Sequence, residues 1–388
     1  MVRGCIRMIC GALLGGGVAL AGVEGSLKSA GENAPEIQGF LAQAAERHGA
    51  FGERAATFLV EGMPPSDLSS LDTEFLVENL DLAMRARKEF PWAVKVPEEV
   101  FFNDVLPYAS LDETRERWRH EFYPRCAAIV KDCTTATEAA QALNREFFDV
   151  IGVHYDTGRK APNQSPSESK KLGKASCTGL SIILVNACRA VGVPARVAGT
   201  PMWSDKSGNH TWVEIQDGGE WFFTGADEYD AKGLNRAWFA KDASKAIADD
   251  WRHAIWATSW KRTGERFPMV WNLASDQVPA VNVTTRYIRP GEAGAKTAEF
   301  HLRFWDRRGG ERMAASVEVV DARGEQVGSV TTRAGTADLN DMPSVKLQPG
   351  KDYRLQVTHG GERRGRVLEV SEPGAMVIDL IWSDLTPE

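Results

Sequence analysis

The sequence carries six cysteines, and Cys177 sits where a thiol could act as a nucleophile. It stands just before Leu180, Ile183, Leu184, Ala187, Cys188 and Val191, which follow the i, i+3, i+4, i+7 spacing of an amphipathic helix. Gly192 closes that helix and Pro194 prevents its return. Cys177 therefore falls at the helix N-terminus, where N–H groups and the macrodipole favour a thiolate and can stabilise an oxyanion. Gly179 is expected to keep the approach to it open. A cysteine in such a place is by itself more often a buried structural residue. The second feature is His210, which opens the strand His-Thr-Trp-Val-Glu-Ile and shares one face of it with Trp212 and Glu214. Residues 221–224 return beside it around Asp217-Gly218-Gly219 and run into Gly225-Ala226-Asp227-Glu228. A carboxylate there can hold the far ring nitrogen of His210 and set its tautomer. Thiol, imidazole and acid thus follow one another on helix start, strand and next strand, an order that suits nucleophile, base and orienter.

Other groups offer less. There is no Cys-x-x-Cys pair and no His-Glu-x-x-His, so neither a metal site nor a cofactor is expected. Asn163 and Gln164 lie too far before Cys177 to serve it and are expected at the surface. Glu214 is expected to be a structural partner for Arg196. Eight of the twelve tryptophans fall between Trp203 and Trp271, and packing explains such density more simply than a substrate cleft does.

Residues 173–180 (Gly-Lys-Ala-Ser-Cys-Thr-Gly-Leu), 188–197 (Cys-Arg-Ala-Val-Gly-Val-Pro-Ala-Arg-Val) and 210–214 (His-Thr-Trp-Val-Glu) resemble the transglutaminase-like family of the papain-like group. The resemblance covers about residues 130–235. It implies that Cys177 attacks an amide carbonyl, that His210 activates it, and that an acid orients His210. The family usually has that acid in an Asp-Pro-Thr stretch, four residues after a Trp. Counted from Trp221, that position is Gly225. The third residue must then shift to Asp227, which keeps the strand parity of Trp221, or to Glu228, the alternative. The implied reaction is acyl transfer through a thioester on a protein or peptide substrate. Hydrolysis, by a protease or peptide amidase, comes before amine-accepting crosslinking, because water is always available outside the cell. A non-catalytic binding or scaffold protein that keeps the fold is the rival.

The elements that would position these residues are mixed. Helical spacing recurs over residues 35–63, around Phe75 to Ala83, over 111–133 and over 137–148, the last opened by a threonine cap. Pro91, Pro97 and Pro107 make the chain between them extended and irregular, and residues 158–174 read as a loop. Beyond residue 290, short alternating segments punctuated by Gly, Asp, Asn and Pro read as a β-sandwich that resembles prealbumin-like or carboxypeptidase-regulatory-like modules. The fold expected is α+β: a helical region at 22–125, a papain-like transglutaminase core at 126–289 and a sandwich at 290–388.

A formal charge of -7 gives no reason to expect a nucleic-acid partner, which needs a basic face. The charged content of 26% and hydrophobic content of 43% are those of a soluble globular protein. Arg3 and Arg7 precede an uncharged run, Gly11 to Val23, too short for a stable membrane span. Within it Ala19-Leu20-Ala21 offers the small residues that a signal peptidase reads. Residues 1–21 are therefore expected to be a signal peptide, and the protein to be exported to the periplasm or the medium. Cys126 and Cys133 could bridge there, or could lie two turns apart on one helix and stay free. N-terminal sequencing of protein recovered from the native host should begin at Gly22; cytosolic protein with Met1 intact would exclude export.

Overall fold

The computed structural model describes residues 22–288, 298–335, 342–372 and 374–388. The proposed signal segment and the boundary near residue 290 lie outside them. Among the described residues no helix is long and apolar enough to cross a membrane.

The helical region begins with Val23–Ala30 and Ala34–Gly62, the latter kinked at Gly49, whose φ of 59° no helix contains. Thr73–Glu89 packs against it, capped by Asp72, whose carboxylate accepts from the Phe75 N–H. Residues 98–104, expected to be irregular, form a helix, and so do Pro166–Leu172 inside the expected loop. In both, the proline sits at the N-terminal cap or first turn, where a missing N–H costs nothing. The helix expected over 111–133 is shorter, Trp118–Ile129, and runs through the boundary expected near residue 125. Thr135 caps Ala136–Ile151 in a reciprocal box with Glu138.

At the centre lies the helix Cys177–Ala190, with every residue buried. Against it lies a five-stranded sheet in the order Glu220–Thr224, His210–Asp217, Ala195–Thr200, Trp256–Thr258, Ala280–Asn282. The pairings from Glu220–Thr224 through Ala280–Asn282 are all antiparallel. The last two strands have three residues each, too few for an alternating pattern to be seen in the sequence. One apolar core joins this sheet and helix to Trp92, Trp118, Phe122 and Phe147 of the preceding helices.

The C-terminal region is the expected sandwich. One sheet contains Gln326–Thr331, Ser316–Asp321, Lys351–His359, Glu362–Val370 and Thr386–Pro387; the other contains Ser344–Leu347, Ala298–Trp305 and Gly374–Ile381. Phe300, Phe304, Val317, Leu355 and Leu380 fill the space between. Among the described residues it meets the rest where Met342 and Ala375 pack on Met202 and Val270, with Val377 and Trp271 beside them, and Arg303 Nη1 donates to the Val270 carbonyl at 3.2 Å. A chain truncated after residue 288 should therefore unfold cooperatively and keep Cys177 alkylation within about twofold of the full chain. Loss of alkylation in a folded truncated chain would make the sandwich part of the site.

Candidate active site

Ser176 caps the central helix: its hydroxyl accepts from the Gly179 N–H at 3.0 Å and donates to the Pro162 carbonyl at 2.5 Å. One side chain thus starts the helix and ties the preceding loop to it. Cys177 is the first helical residue, where the N–H groups of the turn face outward from the helix end. Gly179, expected from the sequence to keep the approach to Cys177 open, faces the preceding loop. A Cβ there would lie 3.1 Å from the Ala175 Cβ, so the glycine lets the loop close over the helix. Gln164, expected at the surface, is buried and holds that loop. Its Oε1 accepts from the N–H groups of Lys160 and Ala161, and its Nε2 donates to the Lys174 carbonyl.

His210 begins the strand that runs past this helix end and pairs with Thr200. The strands come close there: a Cβ on Gly199 would fall 2.6 Å from the His210 carbonyl oxygen. Cys177 and His210, 8% and 6% exposed, line one cavity of about 410 Å³ with Tyr155, Asp227, Glu228 and Trp238. Thr211 links the two elements. Its hydroxyl donates to Cys177 Sγ at 3.4 Å, which leaves Thr178 Oγ1 to donate to Thr211 Oγ1 at 2.9 Å. A hydroxyl aimed at sulfur favours the thiolate.

The His210 ring is enclosed by aromatic groups. Phe239 and Trp238 lie 4.7 and 4.8 Å from it, centroid to centroid, with Trp203 and Trp212 beyond. Part of the tryptophan cluster thus does line the cavity. Burial in this cage lowers the imidazole to about 3, and Lys206 pushes the same way. Nε2 is buried with no hydrogen-bond partner.

Asp227 is not joined to His210. Strand parity selected it, but the strand ends at Thr224 and Asp227 turns into the left-handed region at φ 64°. Its N–H is held by Asn144 Oδ1, and its carboxylate by His154 Nδ1 at 3.0 Å. Burial raises the Asp227 carboxyl, with the His154 bond opposing. Glu214 is structural, as expected: it meets Arg196 Nη2 at 2.7 Å and accepts from the Tyr287 hydroxyl at 2.7 Å. Among the described residues no three or more His, Cys, Asp or Glu are grouped to hold a metal. Among the described residues no cysteine forms a disulfide, Cys126 and Cys133 included.

Residues 125–226 match the family model of the transglutaminase-like superfamily, and this stretch is a transglutaminase-like domain. The chain around it is mixed α+β, helical before the domain and β-rich after it. No curated protein matches by sequence. Among solved structures, a Cytophaga hutchinsonii protein assigned as a cysteine protease is 17% identical over 39% of this chain and 50% of its own, with TM-score 0.28. Red sea bream transglutaminase is 10% identical over 76% of this chain and 59% of its own, with TM-score 0.30. This chain thus spans only half to three fifths of theirs, and likeness at that level carries no statement about activity.

Thr211→Val keeps the shape and removes the hydroxyl. Alkylation of Cys177 by iodoacetamide at neutral pH should slow about fivefold to tenfold, the worth of one hydrogen bond of roughly 1 kcal/mol. An unchanged rate would mean that Thr211 does not hold the thiolate.

Proposed function

We propose that the protein is a cysteine-dependent acyl-transfer enzyme acting on amides of a protein or peptide, with Cys177 as nucleophile and His210 as base. The observation that supports this most is their meeting in one cavity, the thiol at a helix N-terminus with the Thr211 hydroxyl on its sulfur. His210 takes the Cys177 proton as Sγ adds to the amide carbonyl carbon. First-turn N–H groups stabilise the oxyanion. The C–N bond then breaks, the amine leaves with the proton from His210, and a thioester remains. Water, activated by His210, adds to the thioester to give the acid and restore the thiol. An amine in place of water would give crosslinking. Hydrolysis is the first reading, and it goes with export, for which the N-terminal run of residues 11–23 is the support. The chemistry belongs to residues 126–289, flanked by the helical region and the sandwich.

Iodoacetamide at neutral pH should label Cys177 and leave Cys188 untouched, since burial pushes the Cys188 thiol up to about 12. Cys177→Ser should abolish the labelling and any turnover of a peptide library. Labelling of the variant equal to the parent would overturn the assignment. Cleavage without an added amine would support hydrolysis, and incorporation of the amine without cleavage would support crosslinking.

A further inference from the structure

Two polar atoms on the residues that line the Cys177 cavity are buried without a partner: His210 Nε2 and Glu228 Oε2. They share a neighbour. Trp238 Nε1 donates to Glu228 Oε1 at 2.9 Å, and the Trp238 ring lies 4.8 Å from the His210 ring. The anchored oxygen fixes the carboxylate and leaves the other without a donor.

The backbone explains how a residue past the strand end comes to lie here. Val213 pairs with Thr224, so position 225 falls opposite Trp212. Side chains alternate across a strand, and opposite residues share a face, so a side chain at 225 would stand on the face of His210 and Trp212. Position 225 is glycine. A Cβ built on it would fall 1.9 Å from Glu228 Oε2. The Glu228 carboxylate therefore occupies the volume that a side chain at 225 would fill, brought back over the strand by the turn at Ala226 and Asp227. A side chain at 225 would displace the carboxylate from this place.

We propose that Glu228, reaching back over Gly225, is the positioning residue for His210: its Oε2 accepts the Nε2–H hydrogen bond in the reacting enzyme. Nδ1 is then left to take the Cys177 proton. This rests on the Cys177–His210 reading above. Such bonds are often long or open without substrate and tighten when it binds. The electrostatics agree. Burial disfavours the charged form of each group, lowering His210 and raising Glu228. An imidazolium must nevertheless form when Cys177 gives up its proton, and a carboxylate on Nε2 offsets the cost. The other charged groups around the cavity are already engaged: Asp227 by His154, and Lys206 by Asp242.

The test compares Cys177 alkylation by iodoacetamide from pH 5 to 9 in the parent, Glu228→Gln, Asp227→Asn and the double variant Gly225→Asp/Glu228→Ala. Glu228→Gln keeps an oxygen for Trp238 and should remain folded by circular dichroism. It should slow alkylation at neutral pH at least tenfold and move the pH profile up by about one unit, which is the same factor. Asp227→Asn should stay within about twofold, as expected for an acid turned away from the ring. The double variant, with its acid moved to 225, should recover most of the lost rate, which a merely structural glutamate could not explain. Parent-like Glu228→Gln together with a slow Asp227→Asn would overturn the proposal in favour of Asp227. Parent-like profiles in both would overturn it in favour of a Cys–His dyad. In either case Cys177 would still be hyperreactive in the parent, whereas an inert parent thiol would mean that the Cys177–His210 reading itself had failed.

Discussion

A helix with no solvent-facing side governs this structure. All fourteen residues of Cys177–Ala190 are buried, so polar groups on it depend on partners inside the protein, and the Asn186 amide is the exception that has none. Ser181 donates to the Cys177 carbonyl, and Thr178 is paired with Thr211. Arg189 donates to the carbonyls of Asp104, Ala195, Pro107 and Ala109. Arg119, from the helix above, donates to the Arg189 carbonyl and to that of Val105. Trp92 Nε1 donates to the Val191 carbonyl and so closes the same helix end. Burial lowers both guanidinium groups, Arg189 to about 10. Carbonyl dipoles at a helix C-terminus favour a cation, which is the setting these groups occupy. The helical region therefore does more than precede the transglutaminase-like domain. It is the cover without which the Cys177 helix would expose one face, at roughly 1.5–3 kcal/mol for each large apolar side chain returned to water.

On the other side of that helix, one strand face carries two buried titratable groups with opposite treatment. Glu214 is surrounded by donors: Arg196, Arg286 and the Tyr287 hydroxyl, which in turn accepts from Trp212 Nε1. His210, four residues away on the same face, is caged by aromatic rings, and its Nε2 has no hydrogen-bond partner. A fully paired charge is locked, whereas the imidazole among rings is held towards its neutral form by burial, with Nε2 unpartnered. Trp212 separates the two ends, stacked on Phe239 at 4.7 Å and fully buried.

The Cys177 helix and the His210 hairpin were legible because periodicity and chain breakers agree there: apolar spacing up to Val191, then Gly192, Pro194 and the Asp217-Gly218-Gly219 turn. The sequence pattern suggested one buried face on the helix, and the structure buries the other as well. The partner of Thr178 is 33 positions away and three of the four carbonyls on Arg189 are 80 to 85 positions away, beyond the reach of any local pattern. The helices at 98–104 and 166–172 were hidden because proline was read as a breaker where it serves as a starter. Gln164 was hidden because a polar loop residue looks solvated until the backbone groups it satisfies are known. Asp227 is bonded to His154 and not to His210 for a related reason. Alternation holds only while the backbone stays extended, and φ of 64° at Asp227 ends it.

Position, more than residue type, separates the cysteines of this core. Cys177 and Cys188 belong to one helix, eleven residues apart. Cys188 lies deep in the apolar core beside Cys126, and burial pushes both thiols up, so neither can supply a thiolate near neutral pH. Cys177 heads the same helix and is close to fully covered too, yet it opens on a cavity lined by His210 and accepts from the Thr211 hydroxyl. Burial pushes the Cys188 thiol up, whereas the similarly covered Cys177 has a hydroxyl on its sulfur and an imidazole in the same enclosure. An enclosure of this kind strengthens every hydrogen bond made inside it and raises the cost of each one left unmade. Two are unmade among the lining residues, on His210 Nε2 and Glu228 Oε2, and under the proposed assignment they are the atoms on which the behaviour of the site turns.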